Sequence, residues 1–188
     1  MANVDRPNGF RFVKTLSGSF QPVVRSVGVA DGADIFVGDA LSLSSGLATR
    51  MAVEGACLGV AVGFGKKNAM SQEVSGPFNP GDLETLYYDD SANTHTDWVV
   101  YYIPAEDAVF AAQTTNAATL VVGEARDISV GSGSTVTGIS DMEIDTSGAA
   151  TNDGDVVVVE LPNRVDNDLT LVNAEYWVKF VNTEFNNA

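Results

Sequence analysis

A chain of 188 residues, 45% apolar and 19% charged, can bury one substantial core but is cramped for two domains, and its composition excludes whole-chain disorder. One cysteine and one histidine exclude an internal disulfide framework and leave a structural zinc site short of ligands. A net charge of −15 disfavours nucleic acid as a partner, because like charge repels a phosphate backbone.

That charge is unevenly placed. Residues 1–67 hold seven bases and five acids, whereas residues 68–188 hold three bases and twenty acids. Within residues 1–30, Arg6, Arg11, Lys14 and Arg25 face Asp5 alone. This leading stretch also scatters Pro7, Gly9, Gly18, Pro22 and Gly28 among apolar residues without a sustained period, which reads as an extended arm. Phe10, Phe12, Leu16 and Phe20 make it too apolar for a solvated tail, so it docks onto the body, a neighbouring subunit or another protein, or forms an edge strand of its own sheet. It lacks the apolar run of a secretory signal, and no stretch approaches the roughly 18 apolar residues of a membrane span; the expectation is a soluble protein made in a cytoplasm, with no membrane partner.

From residue 35 the pattern is strand, turn, strand: 35–37, 40–43, a turn at Ser44-Ser45-Gly46, then 47–53. Residues 57–64 alternate small (Cys57, Gly59, Ala61, Gly63) with large (Leu58, Val60, Val62, Phe64). In a strand the large set would fill one core while the small set lets another sheet or backbone approach. Cys57 then reads as a buried small apolar residue. Residues 65–82 read as a long loop, and 83–88 and 98–103 as strands, the second ended by Pro104. Residues 105–121 suit a helix or a strand; a strand over 108–113 is the preferred reading. The Gly/Ser cluster within 128–137 predicts a hairpin turn followed by a strand over 138–144. Residues 156–161 and 174–181 predict the last two strands, the latter alternating Tyr176, Val178 and Phe180 against Glu175, Trp177 and Lys179, as a strand with one buried face does. The fold class expected is all-β: a compact β-barrel or sandwich-like body, residues 31–188, behind the arm of residues 1–30.

Chemistry-bearing constellations are sparse. His95 sits in a polar loop with neither a Gly-x-Ser-x-Gly nor a Cys/His signature elsewhere. Gly63-Phe64-Gly65-Lys66-Lys67 lacks phosphate-loop spacing. Asp141, Glu143 and Asp145 alternate along a predicted strand, and Asn152-Asp153-Gly154-Asp155 offers further oxygens, but neither matches a calcium loop. No catalytic residue, metal site or cofactor is expected, and the chain is read as not an enzyme.

Several stretches resemble small head proteins of tailed bacteriophages, the decoration or cement proteins. They are Asn3-Val4-Asp5-Arg6-Pro7-Asn8-Gly9-Phe10-Arg11, Val37-Gly38-Asp39-Ala40-Leu41, Leu58-Gly59-Val60-Ala61-Val62, Val109-Phe110-Ala111-Ala112-Gln113 and Asn173-Ala174-Glu175-Tyr176-Trp177-Val178-Lys179-Phe180. The resemblance implies a compact β-barrel-like body, a homotrimer, seated on the outer surface of the expanded capsid, with the arm reaching over subunits of the major capsid protein. It implies a virion location, with the host cytoplasm before assembly. The acidic, Gly/Ser/Thr-rich residues 120–155 depart from the pattern and read as an outward-facing elaboration. The arm residues singled out for capsid contact are Arg6, Phe10, Arg11, Phe12 and Lys14, charge for orientation and phenyl rings for burial. Two rivals remain: a head or tail module binding host glycans through Trp98, Tyr101 and Tyr102 or through calcium in the acidic loops, and a polysaccharide-degrading enzyme using paired carboxylates.

Overall fold

The computed structural model describes residues 3–67, 85–148, 153–162 and 164–185. They form two five-stranded antiparallel sheets stacked as a sandwich-like all-β body. The first sheet runs β1 (Arg11–Thr15), β7 (Ala108–Gln113), β12 (Glu175–Phe180), β11 (Val156–Glu160) and β8 (Ala125–Arg126). The second runs β2 (Arg25–Gly28), β6 (Trp98–Pro104), β5 (Gly59–Lys66), β3 (Ala40–Ser44) and β4 (Leu47–Arg50). A short pair, β9 (Ile128–Ser129) with β10 (Glu143–Ile144), completes the set.

Alternation along the strands builds two cores. Phe110, Val156, Val158, Tyr176, Val178 and Phe180 from the first sheet meet Ala40, Val60 and Ile103 from the second between the layers. On the other face of the second sheet, Leu41, Ala61, Trp98, Val100 and Tyr102 pack with Val29, Ile35 and Tyr88. A parallel bridge between Val29 and Ala48 draws the two ends of that sheet toward each other over this second core.

The strand expected over 108–113 is present with those bounds, and β12 buries Tyr176, Val178 and Phe180 as expected. The turn joining β3 to β4 is the predicted one: Ser45 and Gly46 both take positive φ, 53° and 81°, as a tight two-residue hairpin loop requires. The segment 57–64 departs from expectation, because its large residues divide between the cores: Val60 and Val62 face the layer between sheets, Leu58 and Phe64 the second core. A register irregularity between Ala61 and Gly63 resets the two-residue period and turns Phe64 away from Val62, while Leu58 precedes the first residue of β5. Gly59 does allow the close approach read from the sequence, since a Cβ there would lie 2.3 Å from the carbonyl oxygen of Ile103. Gly65 and Lys66 belong to β5 rather than to a loop, while residues 68–82 of that predicted loop, with 83 and 84, lie outside the described residues. Of the strand expected over 83–88, Tyr88 is the one residue of the described part, 85–88, in a β-bridge, to Ile35. Of the strand expected over 138–144, Glu143 and Ile144 form β10, and Ile139 makes a separate parallel bridge to Val37. The proposed elaboration is also more integral than its composition suggested: Leu120, Ile128, Met142 and Ile144 all sit in the first core.

A buried charge fastens this middle segment down. Asp39, fully buried, pairs with Arg50 (Oδ2 to Nε, 2.9 Å) and accepts hydrogen bonds from Ser140 Oγ (2.6 Å) and the Phe36 N–H (2.8 Å). Burial pushes its carboxyl up, and Arg50, Ser140 and the Phe36 N–H act against that push. Arg50 also donates to the Gly131 carbonyl, tying β4 to the excursion between β9 and β10.

Candidate functional site

The leading segment is extended, as read, and it runs along the protein's own body, giving each sheet an edge strand. β1 pairs with β7 (Arg11 with Ala111, Phe12 with Phe110, Lys14 with Val109, Thr15 with Ala108), and β2 pairs with β6. Before β1, residues 3–9 form a strap. The Asn3 side chain donates to the carbonyls of Asp168 and Val172 and accepts from the Asp168 N–H, while Gln113 donates to the Val4 carbonyl and accepts from the Arg6 N–H. At Gly9 (φ 61°) the strap crosses the loop at Gly38 so closely that a Cβ would lie 2.3 Å from the Gly38 oxygen. Glycine is required there by both its backbone angle and its lack of a side chain.

The five arm residues singled out from the sequence divide sharply. Phe10 is 1% exposed, its ring 4.9 Å from that of Phe180, so it belongs to the core and is not available to a partner. Phe12 is half-buried, edge-on to Phe110 at 6.4 Å. Lys14 pairs with Glu160 at 2.5 Å and lies 5.2 Å from the Trp177 ring centroid. Together with the register irregularity between Phe12 and Lys14, this charge blunts the free edge of β1 against pairing with another strand. Arg11 pairs with Glu175, and Arg6 is exposed on the strap.

Beyond β1 the chain changes character. Thr15 and Ser19 close a turn through Gly18 (φ 89°), and residues 16–23 then run exposed, up to the half-buried Val24 that precedes β2. Leu16, Phe20 and Val23 expose 47%, 75% and 64% of their surface. Val23 also lines a groove of about 220 Å³ with Phe12, Ile103, Pro104 and Ala108, whose wall further includes Thr15, Arg25, Glu106 and Asp107. Exposed large apolar groups gathered in this way mark a contact surface. The sequence named Leu16 and Phe20 as apolar but could not separate them from Phe10, since no periodicity runs through residues 1–30 to say which rings turn inward.

Residues weighed for other chemistry lie elsewhere. Trp98, Tyr101 and Tyr102 are buried in β6, so their ring faces are covered and offer no stacking platform to a sugar. His95 opens a short 3₁₀ turn, 3.7 Å from Asp31. Cys57 is fully buried, and burial pushes its thiol far above the ordinary range. Burial, then Asp141 and Asp5, raise the Glu143 carboxyl, while hydrogen bonds from Ser147 lower that of Asp145. Asp155 is spent inside the fold, accepting from the Ile128 N–H at 3.0 Å. Among the described residues no three His, Cys, Asp or Glu side chains gather to hold a metal ion. Compared with known proteins, the chain matches no protein-family model, no curated protein and no solved structure at a significant level.

Proposed function

We propose that the chain is a structural virion protein of a tailed bacteriophage, a decoration protein that seats on the outside of the capsid and stabilises the shell without catalysis. The observation that carries this reading is the exposed apolar segment of residues 16–23 beside its groove, displayed on a folded body of strong net negative charge. A protein that must adhere in many copies needs one such face and a surface that otherwise repels its like. The five stretches that resemble head proteins agree with it.

The contact runs through Leu16, Phe20 and Val23, with Phe12 flooring the groove. Phe10 supports it from within the core. As a homotrimer the protein presents three such faces to subunits of the major capsid protein, and avidity then slows release by about 10² to 10⁴ relative to one face. Because it binds assembled shell better than separated subunits, its occupancy stabilises the shell by mass action. Quantitative mass spectrometry of purified virions tests this: copy numbers comparable to the shell protein are expected, and absence or a handful of copies would overturn it.

A further inference from the structure

Beside β1, at the end of the first sheet, lies a second surface feature of opposite character. A polar cleft of about 320 Å³ opens between the strap and the ends of β7 and β12. Three arginines, Arg6, Arg11 and Arg164, line it against two carboxylates, Asp166 and Glu175, leaving one positive charge in excess on a chain of net charge −15.

Glu175 sets the geometry. Its side chain is 7% exposed, and both its oxygens are taken: Oε2 by Arg11 and Oε1 by Arg164 Nη1 at 2.9 Å. The two guanidiniums are thereby held on either side of one buried carboxylate, while their own side chains stay 51% and 45% exposed. A guanidinium carries five N–H donors in a fixed fork; Arg11 spends Nη2 on Glu175, and Arg164 spends Nη1 there and Nε on Asp166. Of the amides in the wall, Asn3 and Gln113 are occupied by the strap contacts and Asn167 by the backbone of Glu175, while Asn8 and Asn173 also line the cleft. The charged donors left over are guanidinium N–H groups, which match a carboxylate in shape and charge.

We infer that this cleft binds a single carboxylate, presented either by an acidic side chain of a partner protein or by a small free carboxylic acid. The volume is at the low end for ligand sites, and the polar wall suits neither an apolar ligand nor a large one. One excess positive charge balances a monoanion, whereas a dianionic phosphate would face Glu175 and Asp166 with its second charge uncompensated. The inference stands whether or not the protein coats a shell, because its test uses the purified chain alone.

The test is an NMR titration of the full chain with the peptide Ac-Ala-Glu-Ala-NH₂, its Gln counterpart, N-acetylglycine and inorganic phosphate. Saturable shifts of the Arg11 and Arg164 side-chain N–H signals are expected with the Glu peptide, with roughly tenfold weaker binding of the Gln peptide. Arg6→Gln, on the exposed strap, should weaken binding severalfold while leaving the spectrum of the body intact; Lys179→Gln, outside the cleft, should leave it unchanged. Tighter binding of the peptide than of N-acetylglycine assigns the site to a protein partner, and the reverse assigns it to a small acid. Absence of saturable shifts, equal binding of the Gln peptide, preference for phosphate, or indifference to Arg6→Gln would each overturn the inference.

Discussion

Phe10 and Phe20 belong to the same leading segment and the same residue type, yet one is 1% exposed and the other 75%. The stretch around Phe10 is tied down by the Asn3 and Gln113 hydrogen bonds, the Gly9–Gly38 crossing and the β1–β7 ladder. The stretch around Phe20 is held only at its two ends, where β1 stops and β2 begins. Burial, not composition, decides which phenyl ring builds the fold and which stays exposed. The difference also changes what a truncation means: removing residues 1–20 strips an edge strand and a core ring along with most of the proposed contact segment, so loss of binding in such a truncation would not isolate the contact.

Substitution separates the two stretches where truncation cannot. The greatest loss is expected at the tied end, where Phe10→Ala removes a ring packed on Phe180 and should cost about 3–5 kcal/mol of stability in urea unfolding. A cost below about 1 kcal/mol would erase the distinction, placing Phe10 with the adaptable half. Gln113→Ala removes both strap hydrogen bonds and should cost about 1 kcal/mol, with faster amide exchange confined to residues 3–9.

Titration widens the contrast, because residues 16–23 carry no ionisable side chain whereas the packed body does. Burial, the largest influence on Asp155, holds its carboxyl above the ordinary range, against the N–H groups of Ile128 and Glu54. A group raised in this way contributes its stability below its unfolded value and loses it as pH rises through its folded value. Stability of Asp155→Asn relative to the parent should therefore improve as pH is raised from about 3 to about 7, and a flat difference would contradict the assignment. The mildest change is expected in the loop, where Phe20→Ser should alter folding stability by no more than about 0.5 kcal/mol.

Parts of this were legible from sequence. Strict alternation at Tyr176, Val178 and Phe180, and the Ser-Gly hairpin between β3 and β4, are local signals that reach the structure intact. The two-residue strands β8, β9 and β10 are too short to leave a period, and the irregularity after Ala61 redirects side chains without any mark in composition. The long-range pairings were beyond reach for another reason: Arg11 and Glu175 are 164 positions apart, and nothing in either neighbourhood names the other. Within the candidate site, apolar character was readable at Leu16 and Phe20, but their exposure follows from which stretch β7 pairs with, a tertiary fact.

If residues 16–23 are the adhesive face of a stable body, the deciding quantity is occupancy on expanded capsids of the variant carrying Leu16→Ser, Phe20→Ser and Val23→Ser, compared with the parent at matched concentration. An unchanged urea midpoint with binding to the capsids lost is the expected result. Full occupancy by this folded variant would contradict it.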